Sequence, residues 1–480
     1  MTINKRTNFE GGIDMYGFTI DRTDSLSFTK QLQNQMRIAI LDGKLEAGER
    51  LPPSRKMAKE LSLSRNTIIQ VYEQLIAEGY LYTIEGSGTY VVNIGRLRTA
   101  ERPKSFLYTN VSPKIENGII FTAGDPDATL FPNARWGLAL RSASIERKSH
   151  SYPYESFAGM DSLRKEIRDY VYRVKGITCD YQQIIIASGT SGTLDLIART
   201  FKKKNSSIVM EDPCIHFVKP IFESYEYLVQ PVSVDEQGMK VEQVVEINDT
   251  DLIYVVPSHQ FPLGGILPAA RRIALLQYAN EKNAYVIEDD YDCEFRYGGE
   301  PLQPLRNLDP ERVIYCGSFS KIFSPSLRIG YAILPQALYY DINKQMDACS
   351  LWVNPTVQEA LAELLKERFI DKHVYKMKKV YEKKRMYLME CLHKAFGTKA
   401  TVSGENAGLH LLLRLHRDLT KEDAQAFLEN GVEVEFVEEY SMIKGNHKNE
   451  LVLGYGKLSF MEIEEGVNRL KRALERTPPA

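Results

Sequence analysis

The chain has 480 residues, 43% hydrophobic and 26% charged, too long for one ordinary core and consistent with two or three domains. Its net charge of −2, with 13 basic against 11 acidic residues over 1–98, excludes a global basic field, so any nucleic-acid contact must come from local placement of arginines. Six scattered cysteines without a CxxC pair argue against a zinc site or disulfide framework, and neither an N-terminal apolar run nor the ~18 apolar residues of a membrane span is present, which leads to the expectation of a cytoplasmic protein with no metal.

Residues 1–24 read as a loose arm. From Phe28 to Val92 the pattern is helix, helix, helix, hairpin. Leu32, Met36 and Ile40 place an apolar stripe on the first helix at intervals of four, and Gly43 and Gly48 punctuate its end. Ser54 is expected to cap a short second helix containing Met57, Ala58 and Leu61. Ser64 is expected to cap a third, whose Ile68, Val71, Tyr72, Leu75 and Ile76 form one face. Gly79 suits a left-handed stop. Tyr80–Ile84 and Thr89–Val92 then read as strands around a Gly-rich tip, Gly86-Ser87-Gly88.

Arginines and prolines without periodicity mark a linker over 93–118. Its 25 residues before Gly118 would span roughly 80 Å if fully extended and ~28 Å as a flexible coil. Strand-like runs follow at Gln183–Ala187, Ser207–Met210, Asp251–Val256, Ala284–Glu288 and Val313–Cys316, with helical stretches such as Ala269–Asn280 between them. Such alternation predicts a mainly parallel sheet with helices on both faces. Val357–Ala395 reads as helical, and strands Leu409–Leu415 and Glu450–Tyr455 with a helix near Glu462–Glu475 predict a smaller α+β lobe.

Two groups of residues carry chemistry. In the head, the third helix opens Ser64-Arg65-Asn66-Thr67, and its first turns hold side chains suited to a DNA groove. Arginine makes forked contacts to guanine and asparagine to adenine, while threonine or the helix-end amides can hold a phosphate. Arg55 opens the preceding helix, and Gly86, Ser87 and Gly88 give a tip able to approach a sugar–phosphate backbone. In the body, Ser188-Gly189-Thr190 lies between a strand and a helix (Leu194–Phe201), where amides, hydroxyls and the helix dipole converge on an anion. Asp289 and Tyr291, two apart at a strand end, are expected to share a face. Lys321 follows another strand, flanked by Ser318, Ser320 and Arg328. Together these meet the demands of pyridoxal 5'-phosphate: an amine for its aldehyde, an acid for its ring nitrogen, a partner for its ring hydroxyl and donors for its phosphate.

Residues 26–92, with Leu51-Pro52-Pro53-Ser54-Arg55 and Gly86-Ser87-Gly88, resemble the GntR winged helix-turn-helix. That resemblance implies double-stranded DNA contacts from Arg55, Arg65, Asn66, Thr67 and the wing residues. Residues 119–475, with Ser318-Phe319-Ser320-Lys321 and Arg328, resemble fold type I aminotransferases. There the resemblance assigns Lys321 the Schiff-base role and Tyr154 a reach to the phosphate across a dimer interface. The fused order resembles the MocR/GabR family of bacterial regulators, with Ser258-His259-Gln260-Phe261-Pro262-Leu263-Gly264 close to that family's own variant. It implies a homodimer whose heads dock on the partner's body. The domain boundaries expected are arm 1–25, winged helix-turn-helix 26–92, linker 93–118 and aminotransferase-like body 119–480.

Three departures bear on function. Ile215 in Glu211-Asp212-Pro213-Cys214-Ile215 stands where relatives stack an aromatic ring on the cofactor, with His216 or Phe217 as substitutes. Phe261 replaces the asparagine of Asn-Pro-x-Gly. Leu451-Val452-Leu453 lacks the arginine that clamps a substrate carboxylate, with Arg414 a possible stand-in or a surface residue. The expectation is therefore a non-catalytic or half-reaction regulator sensing a small amine, an amino acid or the cofactor itself through Lys321. The alternative is an active aminotransferase with a DNA-binding head. Two further rivals are a purely dimerising body and a scaffold that does not bind DNA.

Overall fold

The computed structural model describes residues 16–94, 118–146, 157–299, 302–349 and 352–476. Tyr154, much of the expected linker and the first part of the expected arm lie outside the described residues. The chain divides into two compact units, Met1–Ser112 and Pro113–Ala480, each with its own core.

The first unit packs α1 (Phe28–Leu41), α2 (Ser54–Glu60) and α3 (Arg65–Ala77) with a hairpin of β1 (Leu81–Ile84) and β2 (Gly88–Val91). Leu32 and Met36 of α1 meet Ile68, Val71 and Leu75 of α3, all fully buried. The four-residue spacing on α1 and the apolar face of α3 thus form one seam. Ser64 caps α3 as expected, its Oγ accepting from the Thr67 amide at 3.0 Å. Ser54 does not cap α2: Pro53 holds that position and Ser54 is the first helical residue, because proline's fixed φ suits the helix entry. Gly79 follows α3 with φ +79°, the left-handed stop its position predicts. The looseness expected of residues 1–24 does not extend to 16–24. Phe18 is buried, and the Gln35 carboxamide bonds the Thr19 main chain while Gln31 bonds that of Asp21.

The strands of the second unit are, in chain order, β3 (Ile119–Ile120), β4 (Ile184–Ala187), β5 (Ser207–Asp212), β6 (Leu228–Asp235) and β7 (Gly238–Met239). They continue with β8 (Leu252–Val255), β9 (Tyr285–Asp290), β10 (Val313–Ser318) and β11 (Gly330–Ile333). The last are β12 (Ala400–Ser403), β13 (His410–Leu415), β14 (Val432–Glu433), β15 (Glu435–Phe436) and β16 (Glu450–Gly454). Eight form one sheet in the order β4-β11-β10-β9-β8-β5-β6-β7. The run from β10 to β6 is parallel, whereas β11 is antiparallel to both its neighbours and β7 to β6. Four of these parallel strands, β5, β8, β9 and β10, are buried along almost their whole length, as strands covered on both faces must be, whereas β6 is partly exposed. The antiparallel β11 was not anticipated: Gly330-Tyr331-Ala332-Ile333 is short and adjoins the Lys321 motif without a helix between.

Register fixes where the chemistry gathers. Cys316 stands beside Asp289, Ser318 beside Gly330, and Gly330 beside Ala187. The ends of β4, β9 and β10 therefore share one edge with the start of β11, the edge where parallel α/β sheets hold ligands. A four-stranded antiparallel sheet, β12-β13-β16-β15, packs with helices Lys421–Glu429 and Phe460–Arg476 to make the smaller lobe.

Gly454 at the end of β16 allows residues 121–125 to lie directly on this lobe, since a Cβ there would stand 1.8 Å from the Thr122 carbonyl oxygen. Backbone cannot yield as a flexible side chain does. We expect Gly454→Ala to destabilise the body by about 1–3 kcal/mol, as overpacking generally does, measurable as a lower midpoint in denaturant unfolding.

Candidate functional site: a lysine cleft and a groove-reading helix

A cleft of about 320 Å³ opens at the convergent strand edge. Lys321 lies three residues beyond β10, half-buried, and its amine passes so close to Gly124 that a Cβ there would stand 2.8 Å from Nζ. Glycine at 124 is thus a requirement of the lysine's position. Burial lowers the Lys321 pKa, an effect opposed by the fields of Asp125, Asp292, Glu435 and Asp289.

Asp289, on β9, is buried at the cleft floor. Its Oδ2 accepts from the Tyr254 hydroxyl on β8 at 2.7 Å, while its Oδ1 has no hydrogen-bond partner. Desolvation pushes its pKa up to about 7, against the Tyr254 hydrogen bond. Tyr291 lines the same cleft, so the expected two-residue spacing holds, and Asp290 between them points away to Lys175 (2.9 Å) and the Tyr315 hydroxyl (2.7 Å). The Tyr291 hydroxyl is 3.1 Å from His259 Nδ1, which lies 3.0 Å from Asp292 Oδ2.

The far end of the cleft is rich in donors. Thr190 and Ser191 line it from the first turn of the helix Gly189–Phe201, opposite Ser318, Ser320 and Arg328. The Arg328 guanidinium donates to the Ser188 carbonyl at 3.1 Å and the Ser191 hydroxyl at 3.0 Å, and the Ser320 amide donates to Ser318 Oγ at 3.1 Å. Ser188 and Gly189 are not among the residues lining the cleft. They supply main chain: the Ser188 carbonyl anchors Arg328, and Gly189 packs on Gly330 so tightly that a Cβ at 330 would stand 2.7 Å from the Gly189 backbone.

Ser191 belongs to the same Ser/Gly/Thr turn that the sequence marks as an anion site, without being singled out there, and sequence reasoning missed Tyr254. Tyr254 was legible as the one hydroxyl in the apolar run Leu252–Val256. Of the residues weighed for stacking, Ile215 and Phe217 line the cleft, whereas His216 turns toward Tyr440, 5.9 Å between ring centroids. Phe261 also lines it, edge-on to Tyr291. Arg414 is no substitute clamp: half-exposed, it pairs with Glu450 at 2.6 Å across the β13–β16 register.

In the head, Arg55, Arg65, Asn66 and Gln70 are exposed on the first turns of α2 and α3, opposite the buried seam. The Thr67 hydroxyl is 2.8 Å from Ser64 Oγ, so it is engaged in the cap. Gly86 is exposed at the hairpin tip with φ +72°. Ser87 and Gly88 are turned inward: the Arg50 guanidinium donates to the Ser87 carbonyl, and a Cβ at 88 would stand 2.9 Å from Arg50 Nε. Arg50, unforeseen in the sequence, braces the wing. No helix among the described residues is long and apolar enough to cross a membrane. No group of three or more potential metal ligands occurs among them, and all six cysteines are free thiols.

A three-helix head with a wing, joined to a body whose sheet edge gathers a lysine, a buried aspartate and an anion cradle, defines a DNA-binding regulator built on an aminotransferase-like fold. Residues 28–91 match the model of bacterial regulatory proteins of the gntR family, and 116–447 match aminotransferase class I and II, a family that uses pyridoxal phosphate. The chain is 34% identical over 463 residues to an uncharacterised HTH-type transcriptional regulator, YdeL of Bacillus subtilis, covering 95% of this chain and 98% of that protein. It is 29% identical to a probable rhizopine catabolism regulatory protein, MocR of Rhizobium meliloti, covering 95% of each. The structure of the α-aminoadipate aminotransferase LysN of Thermus thermophilus, complexed with N-(5'-phosphopyridoxyl)-L-leucine, superposes with a TM-score of 0.68. It has 27% identity and covers 75% of this chain and 93% of LysN. The chain belongs to the MocR-type transcriptional regulators, a GntR winged helix-turn-helix fused to a fold type I aminotransferase-like domain.

Loss of the α3 cap is testable apart from any ligand. Ser64→Ala should lower the stability of the head by about 1 kcal/mol, the usual cost of removing an N-cap, read by thermal unfolding of the full chain.

Proposed function

We propose that the body holds pyridoxal 5'-phosphate on Lys321 and works as an amine sensor that governs how the heads engage DNA. The observation that carries this reading is Asp289. A buried carboxylate oxygen without a partner is costly, and it lies in the same cleft as Lys321 and the Arg328 cradle. A protonated ring nitrogen satisfies it.

When bound, the cofactor supplies an aldehyde carbon able to exchange between primary amines. Asp289 Oδ1 accepts the ring N–H, with Tyr254 holding the other oxygen. Tyr291 meets the ring hydroxyl. Thr190, Ser191, Ser318, Ser320 and Arg328 bind the phosphate, with Ser188 and Gly189 shaping the cradle, and Tyr154 adds to it from the partner of a homodimer. Phe217 and Ile215 cover the ring. Lys321, its pKa lowered, presents a neutral amine more readily than an exposed lysine. With Arg414 paired to Glu450 and valine at 452, neither position weighed for the carboxylate clamp supplies one, which disfavours efficient turnover and favours sensing.

The same reading takes the head over 26–92 with the packed residues 16–24, a linker over 93–118, and a body over 119–480. Its homodimer acts in the cytoplasm with heads exchanged between subunits. Arg55, Arg65 and Asn66 contact an operator's bases or backbone, and Gly86 brings the wing to a phosphate. Thr67 and Ser87 act mainly through main-chain placement, Gly88 through the room it leaves for Arg50. A catalytic second reading draws support from the similarity to LysN and the full Lys321–Asp289–Tyr291 set; sustained amino-group transfer between amino and keto acids would favour it.

Purified protein given cofactor should show a visible imine band and a borohydride-fixed adduct at Lys321. Lys321→Ala should lose both and bind DNA without any response to added amine. No adduct on the wild-type chain overturns the reading. Arg65→Ala should weaken operator binding roughly tenfold or more, the scale of a lost base contact, with an unchanged band. The lowered Lys321 pKa also sets a pH dependence. The amine must be neutral to attack, so cofactor capture should rise with pH and level off below the ordinary lysine value of 10.5; stopped-flow absorbance measures it.

A further inference from the structure

The wall of the cleft nearest Lys321 carries charge of the wrong sign for an amino acid. An α- or ω-carboxylate needs a cation, and three candidates among the described residues are committed elsewhere. Arg328 grips Ser188 and Ser191, Arg414 pairs with Glu450, and Lys457 pairs with Asp125 at 3.2 Å and donates to the Thr122 hydroxyl at 2.7 Å. What stands near Lys321 instead, just behind the lining residues, is Glu435, whose field acts on the lysine amine. This residue opens β15 directly across from Val452 of β16, and Val452 is sealed in an apolar cluster with Leu412, Val437, Leu263 and Tyr440.

Glu435 is half-buried, accepts from the Ala123 amide at 3.3 Å and hydrogen-bonds with Tyr440. No lysine or arginine forms an ion pair with it among the described residues. Ala123 adjoins Gly124, the residue against which the Lys321 amine lies, so the carboxylate stands on the lysine's side of the cleft. Tyr440 closes the same wall. Its ring is edge-on to cleft-lining Phe261 at 5.0 Å, and its carbonyl accepts from the Cys214 amide at 3.2 Å, next to cleft-lining Ile215. A carboxylate beside aromatic rings in a water-poor wall is a receptor for a cation, through a charge-assisted hydrogen bond and the ring faces. The same carboxylate repels an anionic ligand. That the cleft takes a ligand at all is indicated independently by the buried, unpartnered Asp289 Oδ1.

We propose that the cleft selects a small primary amine with a second cationic nitrogen and no carboxylate, a diamine, with Glu435 as counter-ion to the distal nitrogen and Tyr440 beside it. This rests on the cofactor reading above. No redox step is involved: the incoming amine takes over the carbonyl carbon, Lys321 is released as its amine, and no co-reactant is consumed.

The test titrates the cofactor-loaded full chain with 1,4-diaminobutane, 4-aminobutanoate and butylamine, following the visible band. The diamine should half-saturate the shift at a concentration roughly tenfold or more below either competitor, the ratio that one charged contact supplies. Glu435→Gln should reduce that preference to about threefold or less, and Glu435→Asp should restore part of it. The Lys321 band of each variant reports that its cleft is intact. Equal or reversed ranking in the wild-type chain overturns the proposal, as does a preference that survives in Glu435→Gln; in both cases the cofactor reading stands. A wild-type chain without any band overturns both.

Discussion

The organisation of the body depends on one buried carboxylate. Asp289 sits at the end of a central parallel strand with one oxygen bonded to Tyr254 and the other bare. Burying a carboxylate costs several kcal/mol unless a partner meets it, and here its pKa rises to about 7. A fold optimised for stability alone would place an apolar residue there, as it does at Val286 and Ile287 on the same strand. Retaining the acid is intelligible as preorganisation: the site stands half-complete, and the ligand that completes it gains what the free protein lacks. The neighbouring features follow. Tyr254 restrains the acid, Gly124 makes room for the lysine, and the Gly189–Gly330 contact brings a helix start to the sheet edge.

Much of this was legible in the sequence because local chemistry and topology coincide there. The Lys321 motif, Asp289 with Tyr291, and Arg328 each sit at the end of a strand whose hydrophobic run announces it, and parallel connectivity brings strand ends to one edge. What escaped depends on long-range register. Tyr254 is one residue in an apolar strand, and only the β8–β9 pairing makes it a partner of Asp289. Arg50 lies just before the Leu51-Pro52-Pro53 turn and gains meaning only when the hairpin folds back on it. Ser54 and Ser188 were read by residue type: serine favours caps and anion sites. Yet Pro53 took the first position by its fixed φ, and Ser188 holds Arg328 through its carbonyl.

The head resolves the question its modest charge raised. With only two more basic than acidic residues over 1–98, non-specific attraction to DNA should be weak, since counterion release scales with the phosphates neutralised. Arg55, Arg65 and Asn66 are exposed on adjoining helix starts, and the wing is braced by Arg50. Such a surface favours contacts placed by a rigid frame over bulk field. A head built this way gains specificity by geometry, and small changes in how it is presented to DNA alter affinity more than they would for a diffusely basic domain.

That sensitivity bears on how a sensing body acts. A ligand shifts an equilibrium only by its differential affinity for the two states, about 1.4 kcal/mol per tenfold. On the reading proposed above, exchange at Lys321 would offer such a difference, because the lysine amine is packed against Gly124 and Gly124 belongs to the segment lying on β16 of the small lobe. The same segment reaches Glu435 through Ala123. Lys321, Glu435 and the small lobe thus all touch one stretch of backbone, residues 121–125, with no side-chain slack at Gly124 or Gly454. Under the proposed reading, a change at the amine would meet this stretch of backbone first, because neither Gly124 nor Gly454 has room for a side chain that could yield.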